Sequence, residues 1–268
     1  MTCPLCNSRE FQEIKMDLCK MYQCKRCSLQ YINNKENRIK SNYLKNYNEL
    51  RKKDSTSSKL RKIQYSLDAK HLKKIVSKGN ILDVGCSTGV FLDNLSKISD
   101  LHLYGIDPDK DAIAIAKKNC NSKINFTDTD LINYKTNLKF DCIVFRGSFQ
   151  FLGYDLKGTL DKISELSSEN VKIIIYSLPN SDSILYTLLK DKWHLFDEFS
   201  HTLIFNRISI IKLCEIFNYK IQEWSYPYLE TPYANHIEDY EKLVQLIRDE
   251  KKKSFPFWGN IMQIVLEK

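Results

Sequence analysis

A chain of 268 residues has room for one substantial hydrophobic core with a small accessory unit, or at most two domains. With 43% hydrophobic and 28% charged residues, and no apolar run near the ~20 residues that span a bilayer, it reads as globular rather than membrane-embedded or disordered. The net charge of +8 is local, because residues 1–60 carry 13 Lys+Arg against 6 Asp+Glu while the remainder is almost balanced. Such a basic end suits an anionic partner (RNA, a nucleotide sugar or a phosphorylated carrier) as well as a plain solvated linker.

The start, MTCPLCNSRE, has no long apolar stretch of the secretory kind, so the expected location is cytoplasmic. Five of the nine cysteines fall in the first 27 residues. Cys3-Pro-Leu-Cys6 and Cys24-Lys-Arg-Cys27 are two CxxC turns, and each can offer two thiolates to one tetrahedral Zn²⁺. So short a segment buries little apolar surface, and metal binding would supply much of its folding energy. With four thiolates in place the ion has no open position, so its expected role is structural. Cys19 is the spare, able to replace Cys24 only if the second turn shifts. A redox dithiol, the competing reading, needs only one such turn, ahead of a helix. Residues 1–30 therefore form the expected zinc-binding unit, and 31–56 a Lys- and Asn-rich linker carrying Tyr31, Tyr43 and Tyr47.

From Ser57 apolar residues recur at helical spacing through Leu60, Ile63, Leu67, Ile75 and Val76, ending at Gly79. Strands are then expected at 80–84, 102–106, 124–126, 140–145 and 171–177, with helices at 88–98, 109–119 and 156–167. Short apolar strands alternating with helices imply a mostly parallel sheet covered on both faces. The last third predicts helices at 182–190, 207–217 and 237–252, strands near 219–226 and in NIMQIVLEK, and an acceptor-side insertion about 178–206. Lys251 to Lys253 suit the end of the last of these helices. The expected architecture is α/β and Rossmann-like. It has a seven-stranded, mostly parallel sheet over 57–268, preceded by a small zinc-ribbon-like unit.

The stretch ILDVGCSTG places Asp83 at the end of the first such strand and Gly85-Cys86-Ser87-Thr88-Gly89 in the turn that follows. In open α/β sheets ligands lie beyond the carboxyl ends of the strands. A dinucleotide turn wants G-x-G-x-x-G, whereas here Ser87 takes the second glycine position and Asp83 lies close by. S-adenosylmethionine carries no phosphate, and its ammonium group suits an acid. Further on, GIDPDKDAIAIA sets Asp107 where an acid can accept both ribose hydroxyls, and Pro108 where the first helical residue would stand. Asp107 also suits the N-cap of that helix, and Asp109 is a second candidate for the neighbouring contact. Asp128, with Thr129 beside it in INFTDTDL, is placed for the adenine amino group, with Ile106 and Leu131 flanking the ring. Tight binding of NADH in place of S-adenosylmethionine would mark a dehydrogenase instead.

The motifs ILDVGCSTGVFL, GIDPDKDAIAIA, INFTDTDL and FDCIVFRGSFQFL together resemble the class I S-adenosylmethionine-dependent methyltransferases over about residues 57–268. With the CPLC and CKRC pairs, the chain is similar to a narrower bacterial group with an N-terminal four-cysteine zinc unit, acting on sugars and cell-surface or secondary-metabolite glycans. The resemblance implies S-adenosylmethionine as cofactor, and an acceptor that is a small molecule or carbohydrate, in polysaccharide biosynthesis among other settings. Such relatives often show a PN…H…FS-like region, answered here by Pro179-Asn180, Trp193-His194, Phe199-Ser200-His201 and Phe205. Phe-Ser precedes His201 here, where relatives more often place the histidine first.

Methyl transfer to a hydroxyl or acidic carbon needs an aligned acceptor and a proton acceptor. His201 is the first candidate base and His194 the second, since both follow the fifth strand; each also suits a packing role. Gln150 stands in RGSFQF, where related enzymes show Gln-His or Glu-His; here Phe151 follows it. Arg146 suits either a carboxylate or phosphate of a bound ligand, or an ion pair with a neighbouring acid. Tyr176, Asn180, Trp193 and Tyr43 are weaker acceptor-side candidates, and His71, His102 and His236 are expected to be structural or remote. Two other functions compete: an RNA methyltransferase gripping phosphate through its basic end, and a non-catalytic module that keeps the cofactor for structure.

Overall fold

The structure is a computed structural model that describes residues 1–17, 19–32, 55–153, 155–196, 203–248 and 255–268, with only the backbone of 55–58. The linker tyrosines Tyr43 and Tyr47, His201, Phe199-Ser200 and the lysines at 251–253 lie outside them.

Seven strands form the main sheet: β4 (Asn80–Val84), β5 (His102–Asp107), β6 (Asn125–Asp128), β7 (Phe140–Arg146), β8 (Ser167–Pro179), β10 (Lys220–Ser225) and β11 (Ile261–Glu267). Their order is β10-β11-β8-β7-β4-β5-β6. The pairs β8-β7, β7-β4, β4-β5 and β5-β6 are parallel. Strand β11 inserts antiparallel between β8 and β10. The sequence reading located all seven strands, within a few residues at most ends.

Alternating side chains serve the two faces separately, as the period of two requires. Leu82, Ile143, Ile173 and Ile175 point to one core, with helices α4 (Leu156–Leu166) and α6 (Arg207–Phe217). Ile81, Cys142, Val144 and Ile174 point to the other, with α1 (Ser55–Ile75), α2 (Val90–Ser96) and α3 (Lys110–Asn119). Both faces are covered, which is why these strands read as continuous apolar runs. Helix caps are local: Asp155 accepts from the Gly158 amide, and Asn206 with Ser209 makes a reciprocal capping box for α6. For α3 the cap is Asp109, whose carboxylate accepts from the Asp111 and Ala112 amides. That corrects two expectations: Asp107 is not the cap, and Pro108 lies before the helix rather than at its first position.

A second sheet was not expected. Strands β1 (Phe11–Ile14), β2 (Met21–Cys24) and β3 (Gln30–Ile32) form an antiparallel ribbon, and β9 (Leu203–Ile204) from the larger part of the chain completes it. A third apolar cluster joins Met21 and Ile32 to Trp193, Phe196 and the short helix α5 (Ile184–Leu189), as well as Leu243 and Leu246 of α7 (His236–Arg248). Among the described residues no helix is long and apolar enough to cross a membrane.

Candidate active site

Strand order reverses between β4 and β7, and the turn after β4 opens at that crevice. Gly85 (φ 82°) and Gly89 (φ 74°) are left-handed, and a Cβ on either would come within 2.8 Å of Ser148 or 2.6 Å of Phe126. Ser87 is also left-handed at φ 51°. The turn's amides are largely engaged within the protein. Gly85 and Cys86 donate to the Ile106 carbonyl, Ser87 to Asp107 Oδ2 at 2.8 Å and Gly89 to the Cys86 carbonyl. A pyrophosphate would need those donors. The Cys86 side chain points beneath the turn, toward Gly105 and Leu92, so only its backbone faces the crevice.

Asp83 is buried and its Oδ1 has no hydrogen-bond partner among the described residues. Burial pushes its pKa up to about 7; Arg146 nearby opposes the shift and Asp107 adds to it. Asp107 is half-buried, takes the Ser87 amide on one oxygen and the Asp109 amide on the other, and pairs in register with Asp128 on β6. Asp128 is exposed and Thr129 half-buried, its hydroxyl donating to the Asp130 carbonyl. Ile106 and Leu131 are buried in the core beneath.

Beyond β7 and β8 a cleft of about 420 Å³ opens beside this crevice. Arg61, Gln64, Arg146, Ser177 and His194 line it, facing the rings of Tyr228, Tyr233 and Phe257. Ser177 has φ 55°, a left-handed residue in the strand. It sits opposite a register shift between Met262 and Ile264, so β8 is bulged where it meets the cleft. Arg146 is held in place: its Nε donates to Asp68 Oδ2 at 2.7 Å, and its guanidinium lies 3.7 Å over the Tyr65 ring. The neighbouring protein lowers the His194 pKa to about 4. Water reaching its exposed ring limits that shift, but the direction leaves the imidazole neutral near pH 7. Gln150 is buried in the turn Phe149–Phe151; its Nε2 donates to the Gly147 carbonyl and its Oε1 has no partner among the described residues.

At the other end of the chain Cys3, Cys6, Cys24 and Cys27 bring their sulfurs within 4.8 Å of one another. The two turns are built alike. Asn7 (φ 56°) and Ser28 (φ 59°) follow the second cysteine of each, and their amides donate back to the carbonyls of Cys3 and Cys24. Contact with Cys27 lowers the Cys3 thiol to about 5 and drives Cys27 up, while burial pushes Cys6 up to about 11. A divalent cation removes that conflict, because it favours all four thiolates at once. The donor set fits Zn²⁺. Cys19 stands apart, half-buried and packed against the third apolar cluster, so the shifted pairing is not realised.

Residues 53–223 match the model of a family described as "Methyltransferase domain". The chain belongs to that family. The chain is 35% identical over 85 residues to a carboxy-S-adenosyl-L-methionine synthase of Campylobacter hominis, a match covering 30% of the chain and 36% of the synthase. It is 29% identical over 118 residues to an uncharacterized methyltransferase of Bacillus cereus, covering 43% and 55% respectively. The chain thus spans about a third to a half of these two curated relatives. In fold it is similar to the plantazolicin methyltransferase BpumL, solved with a triazolic desmethylPZN analog and SAH. That likeness has a TM-score of 0.56 at 20% identity, over 85% of this chain and 92% of the other.

In this chain the glycine turn, Asp83, Asp107, Asp128 and Thr129 lie along the carboxyl edge of the sheet, and Arg146 and His194 line the adjoining cleft. Three weaker acceptor candidates are placed elsewhere. Trp193 is buried against Tyr186, with ring centroids 5.2 Å apart. Asn180 braces a loop, donating to the Gly259 carbonyl and accepting from the Asp182 amide. Tyr176 is buried; it donates to the Asp68 carbonyl, and its hydroxyl lies 2.9 Å from His71 Nδ1. Arg61, Tyr228, Tyr233 and Phe257 were missed. They lie far apart in sequence, and nothing local marks them as neighbours.

Proposed function

We propose that this methyltransferase moves a methyl group from S-adenosylmethionine to an oxygen or carbon of a small or carbohydrate acceptor seated in the cleft. The observation that carries the reading is the unpartnered, buried carboxylate oxygen of Asp83 beside a turn whose amides are already engaged. A ligand with an ammonium group answers that carboxylate, and a pyrophosphate does not. SAH bound in the fold relative BpumL is consistent with it.

In this reading Gly85, Cys86, Ser87 and Gly89 line the cofactor with backbone. Asp83 takes its ammonium group, Asp107 its ribose hydroxyls, and Asp128 and Thr129 its adenine, with Pro108 at the rim. When bound, the cofactor supplies a methyl group on a positively charged sulfur. The protein's task is then to orient the acceptor and receive its proton. Neutral His194 is the base within the described residues, and His201 remains its rival from outside them. Gln150, whose buried Oε1 has no partner among the described residues, is the further candidate to hold cofactor or acceptor. The four-cysteine site holds Zn²⁺ as a structural ion. Polysaccharide or secondary-metabolite assembly in the cytoplasm is the setting the family resemblance supports.

Calorimetry with SAH on the zinc-loaded full chain tests the reading. One equivalent should bind, and Asp107→Ala should weaken it by at least about tenfold, the cost of losing charge-assisted hydrogen bonds. No uptake by the wild-type protein would sink the proposal. Salt-sensitive binding of RNA beside normal SAH uptake would move the acceptor to nucleic acid.

A further inference from the structure

The cleft has a charge as well as a shape. Among its described lining residues there are two arginines, Arg61 and Arg146, and no carboxylate. Asp68 lies behind Arg146 rather than in the cleft wall, and its two oxygens are engaged, one by Gln64 Nε2 and one by Arg146 Nε, each at 2.7 Å. Its carbonyl takes the Tyr176 hydroxyl, so the acid that anchors Arg146 is itself anchored. The arginine side chain is only 13% exposed. With Nε bonded and the plane stacked on Tyr65, its orientation is set before any ligand arrives. No hydrogen bond engages its terminal N–H groups among the described residues, and these form the part of the fork that grips an oxyanion in two places. Asp68 offsets one positive charge. Arg61 adds a second on the same wall, beside Tyr233, and is offset by no carboxylate there.

We propose that the acceptor carries a carboxylate or phosphate group and that Arg146, aided by Arg61, seats it against the aromatic wall of Tyr228, Tyr233 and Phe257. This rests on the methyl-transfer reading of the cleft and adds the acceptor's charge to it. Pre-setting Arg146 through Asp68 lowers the ordering cost of the contact, which is how a shallow cleft gains selectivity.

Titration of the SAH-loaded, zinc-loaded full chain with glucose, glucuronate and glucose 1-phosphate tests the charge directly. At least one of the two acids should bind about tenfold or more tighter than glucose, and which one does so separates carboxylate from phosphate. Arg61→Gln should shrink the preference, and Arg146→Gln should abolish it while SAH is still taken up at about pH 9, above the range in which Asp83 binds a proton. Equal binding of the three probes, or none by any of them, overturns the proposal. So does a preference that survives Arg146→Gln while SAH affinity collapses, which would give Arg146 to the cofactor's carboxylate. Failure of the wild-type chain to take up SAH at all strikes the methyl-transfer reading instead.

Discussion

At the scale of single residues, Asp83 shows how burial sets chemistry. A carboxyl group with no water and no complete set of donors is costly to ionise, and its pKa rises to about 7. Because the folded value lies above the ordinary carboxylate range, protonation favours the folded state. That contribution is full below about pH 4 and is lost as the pH rises through about 7. A cationic partner reverses the preference. SAH affinity should therefore fall as the pH drops below about 7, approaching tenfold per unit, with a proton released on binding. Calorimetry in buffers of differing ionisation enthalpy measures that release; Asp83→Asn should remove it, and a pH-independent affinity would refute the role. If His194 accepts the acceptor's proton, His194→Ala should lower kcat about a hundredfold or more with SAH affinity intact. An unchanged kcat would pass the role to His201. Neither residue's environment is written next to it in the chain: Asp83 owes its shift to a strand end sealed by both cores, and His194 to walls drawn from distant loops.

Among the elements, the amino-terminal four-cysteine unit is more than an appendage. Its third strand pairs with β9, matching Gln30 to Ile204 and Tyr31 to Leu203. Just after β9, Phe205 packs 5.3 Å from Phe149, in the turn that carries Gln150. Loss of the metal should thus reach the acceptor side. Cys27→Ser, or chelation of zinc, should lower the melting temperature and weaken acceptor binding more than SAH binding, because the turn proposed for the cofactor is built on β4 and β5. Circular dichroism with parallel titrations would show it, and equal loss of both ligands would contradict the route through β9. The paired CxxC spacing made the gathering of Cys3, Cys6, Cys24 and Cys27 legible, since each tight turn brings two sulfurs together. The strands between them were not legible. FQEI, MYQC and QYI are too short to show a period and acquire partners only on folding.

For the whole molecule, Cys3, Leu5, Leu29 and Tyr31 belong to the same buried cluster as Leu160, Phe205 and Ile210. A core shared in this way should unfold as a unit. Scanning calorimetry of the zinc-loaded chain should show one transition, whereas two separable ones would mean that the amino-terminal unit stands alone. Much of the larger sheet could be read beforehand, because strands covered on both faces must be apolar throughout and glycines mark a tight, left-handed turn. Asp83, Asp107 and Asp128 could be assigned to strand ends for the same reason, because strand ends announce themselves locally. What the linear order could not contain was proximity. Arg61 on α1, Arg146 on β7 and Tyr228 and Tyr233 after β10 meet only when the sheet reverses its order. Likewise, Asp109 rather than Asp107 became the helix cap once the strand ran one residue further. Local patterns of polarity and turn chemistry are enough to specify elements, but a cleft is made of long-range contacts, and those exist only in the folded chain.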